Sequence, residues 1–263
     1  MVATLTINYA IFAVLVCNNR VTFKCTVPEG ARQKNALLVK QYVYIEYIYS
    51  MFVLSDTSSI ANHFIAEMRD QGIQQDSMRF RRNMERIGEI FAYEISKTLN
   101  YTDTDFETPL GTATVPVLDD HPVLATILRA GLPLHQGLLN YFDKADSAFI
   151  SAYRKTQKSG DFIIQMEYVS SPSLDNKIVI VADPMLATGM SMVLCCKELL
   201  RQYKIKELHI VSVIASTEGV AHVRANVPKA KLWLGAVDEE MTTKAYIVPG
   251  LGDAGDLAYG EKQ

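Results

Sequence analysis

The amino-acid sequence predicts an α/β fold: a mainly parallel central sheet flanked by helices, with a β-hairpin projecting from it. Three observations carry that prediction. From Asp56 onward, short continuous apolar runs alternate with helix-like segments, the pattern of strands covered on both faces. One run, Ile178–Ala182 (IVIVA), feeds a loop of Gly, Thr and Ser that opens a helix-like stretch. Between 154 and 174 the polar run RKTQKSGDFIIQMEYVSSPSL, with an FII strand pattern inside it, reads as a flexible hairpin and a natural lid.

The first fifty residues stand apart from this pattern. Ala10–Cys17 (AIFAVLVC) is apolar but far shorter than the ~20 residues of a membrane-spanning helix. No basic segment precedes it as in a secretory leader, the first Lys or Arg being Arg20. Tyr42–Tyr49 (YVYIEYIY) is a β-prone run, and Met51 stands just before the first convincing helix start. Residues 1–50 are therefore read as an N-terminal extension of unknown structure, dispensable and of the kind an upstream start codon adds. Residues 51–263 are read as the functional domain.

Within that domain, Asp76 or Ser77 caps a helix running to about Leu99, with Met84, Ile87, Ile90, Phe91 and Ile95 on one face. Glu107–Leu118 is extended, and Pro116 inside it marks an edge strand or a strand end. Val123–Leu128 is a strand, followed by Arg129, Ala130, Gly131 and a helix over Leu132–Phe142. Ser147–Tyr153 and Ile178–Ala182 are strands, and Ser191–Tyr203 is a helix. Leu208–Ala215 is a strand, Thr217–Asn226 a helix and Leu232–Val237 the last strand. There is no internal repeat and no low-complexity tract.

Composition removes several function classes. With 49% hydrophobic and 21% charged residues among 263, the chain can bury a sizeable core. A formal net charge of -3 gives no bulk reason to expect nucleic acid or an acidic membrane as partner. Cys17, Cys25, Cys195 and Cys196 form no C-x-x-C motif and read as buried thiols of a reducing cytoplasm. The five histidines show no metal-ligand spacing among themselves or with the cysteines. Asp119-Asp120-His121 before Pro122 is better read as a polar turn than as a metal site. Asp238-Glu239-Glu240 is read as a solvated acidic loop, and Arg79, Arg81, Arg82 and Arg86 as a solvated or subunit-contact helix face.

Three segments can carry chemistry. In VADPMLATGMS (Val181–Ser191), Thr188, Gly189 and Ser191 at a helix N-terminus offer amides, hydroxyls and a favourable dipole end, which suits a phosphate monoester. Asp183 at the strand's end can accept hydrogen bonds from vicinal ribose hydroxyls. A plain strand–turn–helix with capping Thr and Ser is the alternative. No G-x-x-x-x-G-K-S/T loop for nucleoside triphosphates exists in the chain. Arg129 and Arg154 end two strand-like segments, and a guanidinium matches phosphate oxygens bidentately, although surface arginines are common. Gly250, Gly252 and Gly255 form a literal G-x-G-x-x-G. A dinucleotide fingerprint must open a helix and have an acid about 20 residues on. The chain ends at Gln263, which is read as leaving room for neither, so a nicotinamide-dependent oxidoreductase fails on context. A Gly-dense loop instead lets backbone groups approach a flat ligand, a plain turn cluster being the bland alternative.

Taken in order, these segments resemble the uracil branch of the type I phosphoribosyltransferases. The resemblance rests on I-L-R-A-G-L (Ile127–Leu132), A-Y-R (Ala152–Arg154), A-D-P-M-L-A-T-G (Ala182–Gly189) and Y-I-V-P-G-L-G-D-A-G-D (Tyr246–Asp256), and covers about 58–262. The wider group usually has two adjacent acids; here Ala182 stands where the first would be and Pro184 follows the second, a version that resembles the uracil branch. The resemblance implies the type I phosphoribosyltransferase fold and the reaction of uracil with 5-phospho-α-D-ribose 1-diphosphate (PRPP) to give UMP and pyrophosphate, a step of pyrimidine salvage. It places Arg129, Arg154, Asp183, Pro184, Met185, Leu186, Ala187, Thr188, Gly189, Met190, Ser191 and Asp253 on PRPP. It places Ile247, Gly252, Asp253 and Ala254 on uracil, with Asp183, Arg154 and Asp253 as the catalytic set. It further implies Mg²⁺ bound through the PRPP pyrophosphate, GTP as an allosteric activator in some members, a homo-oligomer, and a cytoplasmic location.

Two rivals share the fold. A regulatory or RNA-binding member that keeps PRPP binding without catalysis is opposed by the intact C-terminal motif and the lack of basic bias. A transferase for another base, such as a purine, is opposed by the G-L-G-D-A-G loop. One position departs from the family loop: Met190 gives T-G-M-S where T-G-G-S is usual. A positive φ there would strain a Met, whereas a first helical residue accepts it freely. The second reading is preferred.

Overall fold

The structure, a computed structural model, describes residues 2–7, 10–17, 20–26, 51–156 and 162–261, and side chains within 51–151 and 169–261. The chain divides into two compact units, 1–49 and 50–263. In the first, β1 (Val2–Ile7), β2 (Ala10–Cys17) and β3 (Arg20–Thr26) form an antiparallel meander in the order β1-β2-β3. The apolar run Ala10–Cys17 is its middle strand; the run Tyr42–Tyr49 lies outside the described residues.

The second unit opens with β4 (Met51–Val53), a single 3-10 turn, α1 (Ile60–Arg69) and α2 (Ser77–Ser96). A ribbon of β5 (Tyr101–Thr108) and β6 (Gly111–Leu118) precedes β7 (Val123–Leu128), α3 (Leu132–Tyr141), β8 (Ser147–Thr156) and β9 (Phe162–Ser170). Next come β10 (Ile178–Ala182), β11 (Met185–Leu186), α4 (Met190–Gln202), β12 (Glu207–Ser216), α5 (Thr217–Asn226) and β13 (Lys231–Asp238). The chain closes with β14 (Glu240–Met241), β15 (Ile247–Val248) and α6 (Ala254–Tyr259).

The central sheet runs β4-β13-β12-β10-β7-β8-β9, with β11 beside β12. All its pairs are parallel except β8–β9. The run IVIVA forms its middle because both of its faces are covered. Ile178, Ile180 and Ala182 pack with Met84, Ile87, Phe91 and Ile95 of α2 and Leu134 and Leu138 of α3. Val179 and Val181 pack with Met192, Cys195, Cys196 and Leu199 of α4 and Val220 and Val223 of α5. Period-two alternation therefore divides one strand between two cores, and no position is left for a polar residue. Helix α2 is capped as its sequence predicts, with the Asp76 carboxylate accepting from the amides of Met78 and Arg79 at 3.0 Å each. It meets α3 glycine to glycine: a Cβ on Gly137 would lie 1.9 Å from the Glu85 carbonyl oxygen, and one on Gly88 2.4 Å from that of Leu134.

Register sets where the site lies. Ala182 pairs with Thr126 and with Val211, so β7, β10 and β12 end on one edge, and β13 joins them with Ser216 opposite Asp238. Open α/β sheets bind ligands at that carboxyl edge. Leu128, the last residue of β7, pairs with Ser151, and β8 continues to Thr156 paired with β9. The predicted hairpin thus projects past the edge; its residues 157–161 lie outside the described part.

Two elements differ from expectation. The run Glu107–Leu118, expected to be extended throughout, holds the last two residues of β5, a turn at 109–110 and then β6, one arm of the ribbon, in which Pro116 faces Asp103. The other arm, YTDTDFET, is exposed along its whole length and shows no core-facing alternation to announce it. A short helix, α6, follows the C-terminal glycines where none was expected.

Candidate active site

The loop after β10 is laid against β12 by backbone bonds. The Asp183 amide donates to the Val211 carbonyl at 3.1 Å, and the Pro184 carbonyl accepts from Val213 and Ile214 at 3.0 Å each. The Ser216 hydroxyl then clamps the next turn, donating to the Ala187 carbonyl at 2.5 Å while accepting from the Gly219 amide at 2.8 Å. Gly219 has no room for a side chain, since a Cβ would lie 2.3 Å from the Ala187 carbonyl oxygen. The left-handed turn falls on Gly189, with φ 72°, and α4 begins at Met190. Among the described residues the positive-φ non-glycines are Asn176 and Ala245, so Met190 is an unstrained first helical residue, as preferred above. The first helical hydrogen bond joins the Val193 amide to the Gly189 carbonyl at 2.9 Å. The amides of Ser191 and Met192 precede it and stand at the positive end of the helix dipole. Burial, together with the nearby Asp183 carboxylate, pushes the Cys195 thiol up to about 12.

The end of β7 abuts the same place. Thr126, a buried hydroxyl inside VLATIL, donates to the Ala182 carbonyl at 3.4 Å. Gly131 closes on both, for a Cβ there would lie 2.2 Å from Thr126 Oγ1 and 2.9 Å from the Ala182 carbonyl oxygen. Between them Arg129 turns to the C-terminal segment. Its Nη2 donates to Asp256 Oδ1 at 3.0 Å and to the Gly260 carbonyl at 2.6 Å, and its Nη1 to the Tyr259 carbonyl at 3.4 Å. Arg154 lies in β8 opposite Ile164, past the end of β7 on the neighbouring strand.

The C-terminal loop is anchored at its buried members. Ile247, Leu251 and Ala254 belong to the main core, while Gly252, with φ 94°, is exposed. Asp253 caps α6, its Oδ1 accepting from Gly255 at 2.8 Å and Asp256 at 3.0 Å. That helix corrects the expectation that none could follow the G-x-G-x-x-G. The motif still does not follow a strand of the central sheet, since among the described residues β15 pairs only with β14.

One charged group was also misread. Asp238 is buried, not part of a solvated loop, although Glu239 and Glu240 are exposed. Burial pushes its carboxyl up, and bonds from Arg69 and the Gly250 amide outweigh that and hold it below the usual range. Of the arginines of α2, Arg79 and Arg82 are exposed and Arg81 and Arg86 half-buried, in keeping with a solvated face, and they also have partners within the chain. Arg79 binds Glu67 at 2.9 and 2.6 Å, Arg81 donates to the Ala258 carbonyl at 2.6 Å, and Arg86 lies over the Phe64 ring. Thr126, Gly131, Ser216, Gly219, Arg69 and Asp238 are the positions that sequence reasoning missed. A lone Thr inside an apolar strand and a Ser ending one were visible signs; the pairing of Arg69 with Asp238, 169 residues apart, had none.

The fold thus gathers Arg129, Asp183, the 184–191 loop and, through Arg129, the 253–260 segment on one edge. The sequence model of the uracil phosphoribosyltransferase family matches residues 55–261. The chain belongs to that family. It is 53% identical over 205 residues to the uracil phosphoribosyltransferase of Porphyromonas gingivalis strain W83, covering 78% of this chain and 95% of the relative. With the uracil phosphoribosyltransferase of Thermococcus gammatolerans it shares 36% identity over 208 residues, 78% of this chain and 91% of the other. The structure of the AQ2163 protein from Aquifex aeolicus superposes with a TM-score of 0.71 at 28% identity, over 80% of this chain and 98% of that one. The family match begins at residue 55, inside the 3-10 turn that follows β4.

Proposed function

We propose that the chain transfers the phosphoribosyl group of PRPP to N1 of uracil, releasing pyrophosphate and forming UMP for pyrimidine salvage. The observation that carries this is the junction of Asp183, the left-handed Gly189 and the start of α4 on the sheet edge that also receives Arg129. The relatives named uracil phosphoribosyltransferase, matched over most of their length, support it.

In this reading the amides and hydroxyls of Ala187, Thr188, Gly189, Met190 and Ser191 hold the 5-phosphate, and Asp183 binds the ribose 2- and 3-hydroxyls. Arg129 and Arg154 take the departing pyrophosphate. Backbone groups of Ile247, Gly252 and Ala254 read uracil, and Asp253, beside both substrates, contacts PRPP and eases loss of the N1 proton. Glycosyl transfer passes through an oxocarbenium-like state. The enzyme's contribution is then positioning and charge management, more than covalent chemistry. In the same reading Mg²⁺ is carried in on the pyrophosphate of PRPP. So bound, it would neutralise part of the diphosphate charge beside Arg129 and Arg154.

Residues 51–263 suffice for this activity in the same reading, because β4, starting at Met51, completes the sheet against Leu232. A homo-oligomer is supported by the β5–β6 ribbon. Its exposed Tyr101, Phe106, Leu110, Val115 and Val117 leave a two-stranded ribbon that is marginal by itself in water. Incubating the purified chain with PRPP, Mg²⁺ and each nucleobase in turn tests base choice. UMP from uracil and no nucleotide from the purines is expected; a purine nucleotide would refute it. Adding GTP to the same assay tests activation, and the cytoplasmic location is tested by cell fractionation.

A further inference from the structure

We infer that Arg69 and Asp238 are positioning residues for base recognition, holding the C-terminal loop in shape through Gly250. The inference rests on the reading that this loop receives uracil. Arg69 is the last residue of α1 and Asp238 the last of β13, so each stands on an element of the core. They form a two-pronged ion pair at 2.7 and 2.8 Å, with side chains only 23% and 8% exposed. Both then turn to one peptide unit pair. Arg69 Nη1 donates to the Gly250 carbonyl at 2.9 Å, and Asp238 Oδ2 accepts from the Gly250 amide at 3.0 Å.

Gly250 is therefore fixed on its donor and its acceptor by groups of opposite charge. Its conformation leaves no slack either: φ is 56°, and a Cβ would lie 2.2 Å from the Ile247 carbonyl oxygen. On the chain's next step Leu251 enters the core, and one residue later Gly252 emerges into open space with φ 94°. A loop that reads a base through backbone groups must hold them to a fraction of an ångström. Charge-assisted bonds to Gly250 give that precision two residues away, without a side chain in the site. Lysine cannot replace the arginine, because a point charge cannot span both carboxylate oxygens and the carbonyl.

Steady-state kinetics and melting temperatures of four variants of the full chain test this. Arg69→Lys and Asp238→Asn should raise the KM for uracil about tenfold or more while leaving the KM for PRPP within about twofold. The apolar double variant Arg69→Met with Asp238→Leu removes the buried charges together, so its melting temperature should recover, yet the uracil KM should stay raised. Where a single variant does not fold, the double carries the test. A uracil KM that stays at the wild-type value in the folded variants, or that returns with the melting temperature in the double, overturns the inference. Gly252→Ala separates it from the reading beneath it, since that site has room for a methyl but a φ that resists it. An unchanged uracil KM in Gly252→Ala removes the base-loop reading itself. A raised one there, beside normal values in the Arg69 and Asp238 variants, removes only the positioning role.

Discussion

Arg129 and Asp256 face each other across the site, Nη2 to Oδ1 at 3.0 Å, and tie the end of β7 to the helix that closes the C-terminal loop. Each side chain is 33% exposed, so the pair adds at most about 1 kcal/mol to stability. Its value is positional: the arginine proposed for pyrophosphate is held beside the segment proposed for the base. Arg129→Ala should raise the KM for PRPP about tenfold or more while melting within a few degrees of wild type. The Gly260 amide, bonded to Asp256 at 2.8 Å, should then exchange its hydrogen faster, as mass spectrometry of the C-terminal peptide will report. Unchanged PRPP kinetics would remove Arg129 from the pyrophosphate.

Asp183 stands one residue past the end of β10, where an isosteric amide keeps the packing and removes the charge. Asp183→Asn should cut kcat/KM for PRPP about a hundredfold, with little change in melting temperature. Wild-type kinetics in this variant would exclude it from the ribose.

At Met190 the structure places the positive φ one residue earlier, on Gly189. Met190→Gly would restore the family's usual T-G-G-S, but here it only loosens the first turn of α4. A loss of up to about 1 kcal/mol in stability is expected, with the KM for PRPP within about twofold. A several-fold gain in PRPP affinity would show that the loop prefers a second glycine after all.

Much of this fold was legible where hydrophobic period and burial agree. Val123–Leu128, Ile178–Ala182 and Thr217–Asn226 have the bounds the sequence predicts, because apolar runs and a Ser before a helix are local signs. The loop proposed for phosphate stood out in the sequence for a similar reason, Thr188, Gly189 and Ser191 lying within four residues. What escaped depends on distant partners. Asp238 sits in an acidic triplet that looks solvated until Arg69 reaches it from α1, and Arg81 looks like a surface charge until it meets the Ala258 carbonyl. Strand β5 escaped because its residues are exposed and carry no core-facing pattern.

On the opposite, amino edge of the sheet, His209 is fully buried between Glu207 and Trp233. The Trp233 Nε1–H donates to Nδ1 at 3.0 Å, so the neutral ring carries its proton on Nε2 and gives it to Glu207 at 2.6 Å. That bond, with one from Lys231, holds the Glu207 carboxyl at about 2, while burial pushes His209 below its usual value. A depressed carboxyl stabilises the fold above its ordinary 4.5 and loses that as pH falls toward 2. A depressed histidine acts in the same direction, since the unfolded chain takes up its proton below about 6.5. Denaturant unfolding should therefore weaken below pH 6.5 and more steeply below 4.5. Glu207→Gln should cost on the order of 1–2 kcal/mol at neutral pH after solvent screening, with the gap to wild type closing below pH 4.5. A gap independent of pH would contradict this account.

The most direct test of the central claim is a ³¹P NMR time course of the full chain with uracil, PRPP and Mg²⁺. The PRPP signals should give way to pyrophosphate and the UMP phosphate in equal amounts. Persistence of PRPP, or pyrophosphate appearing without UMP, would contradict it.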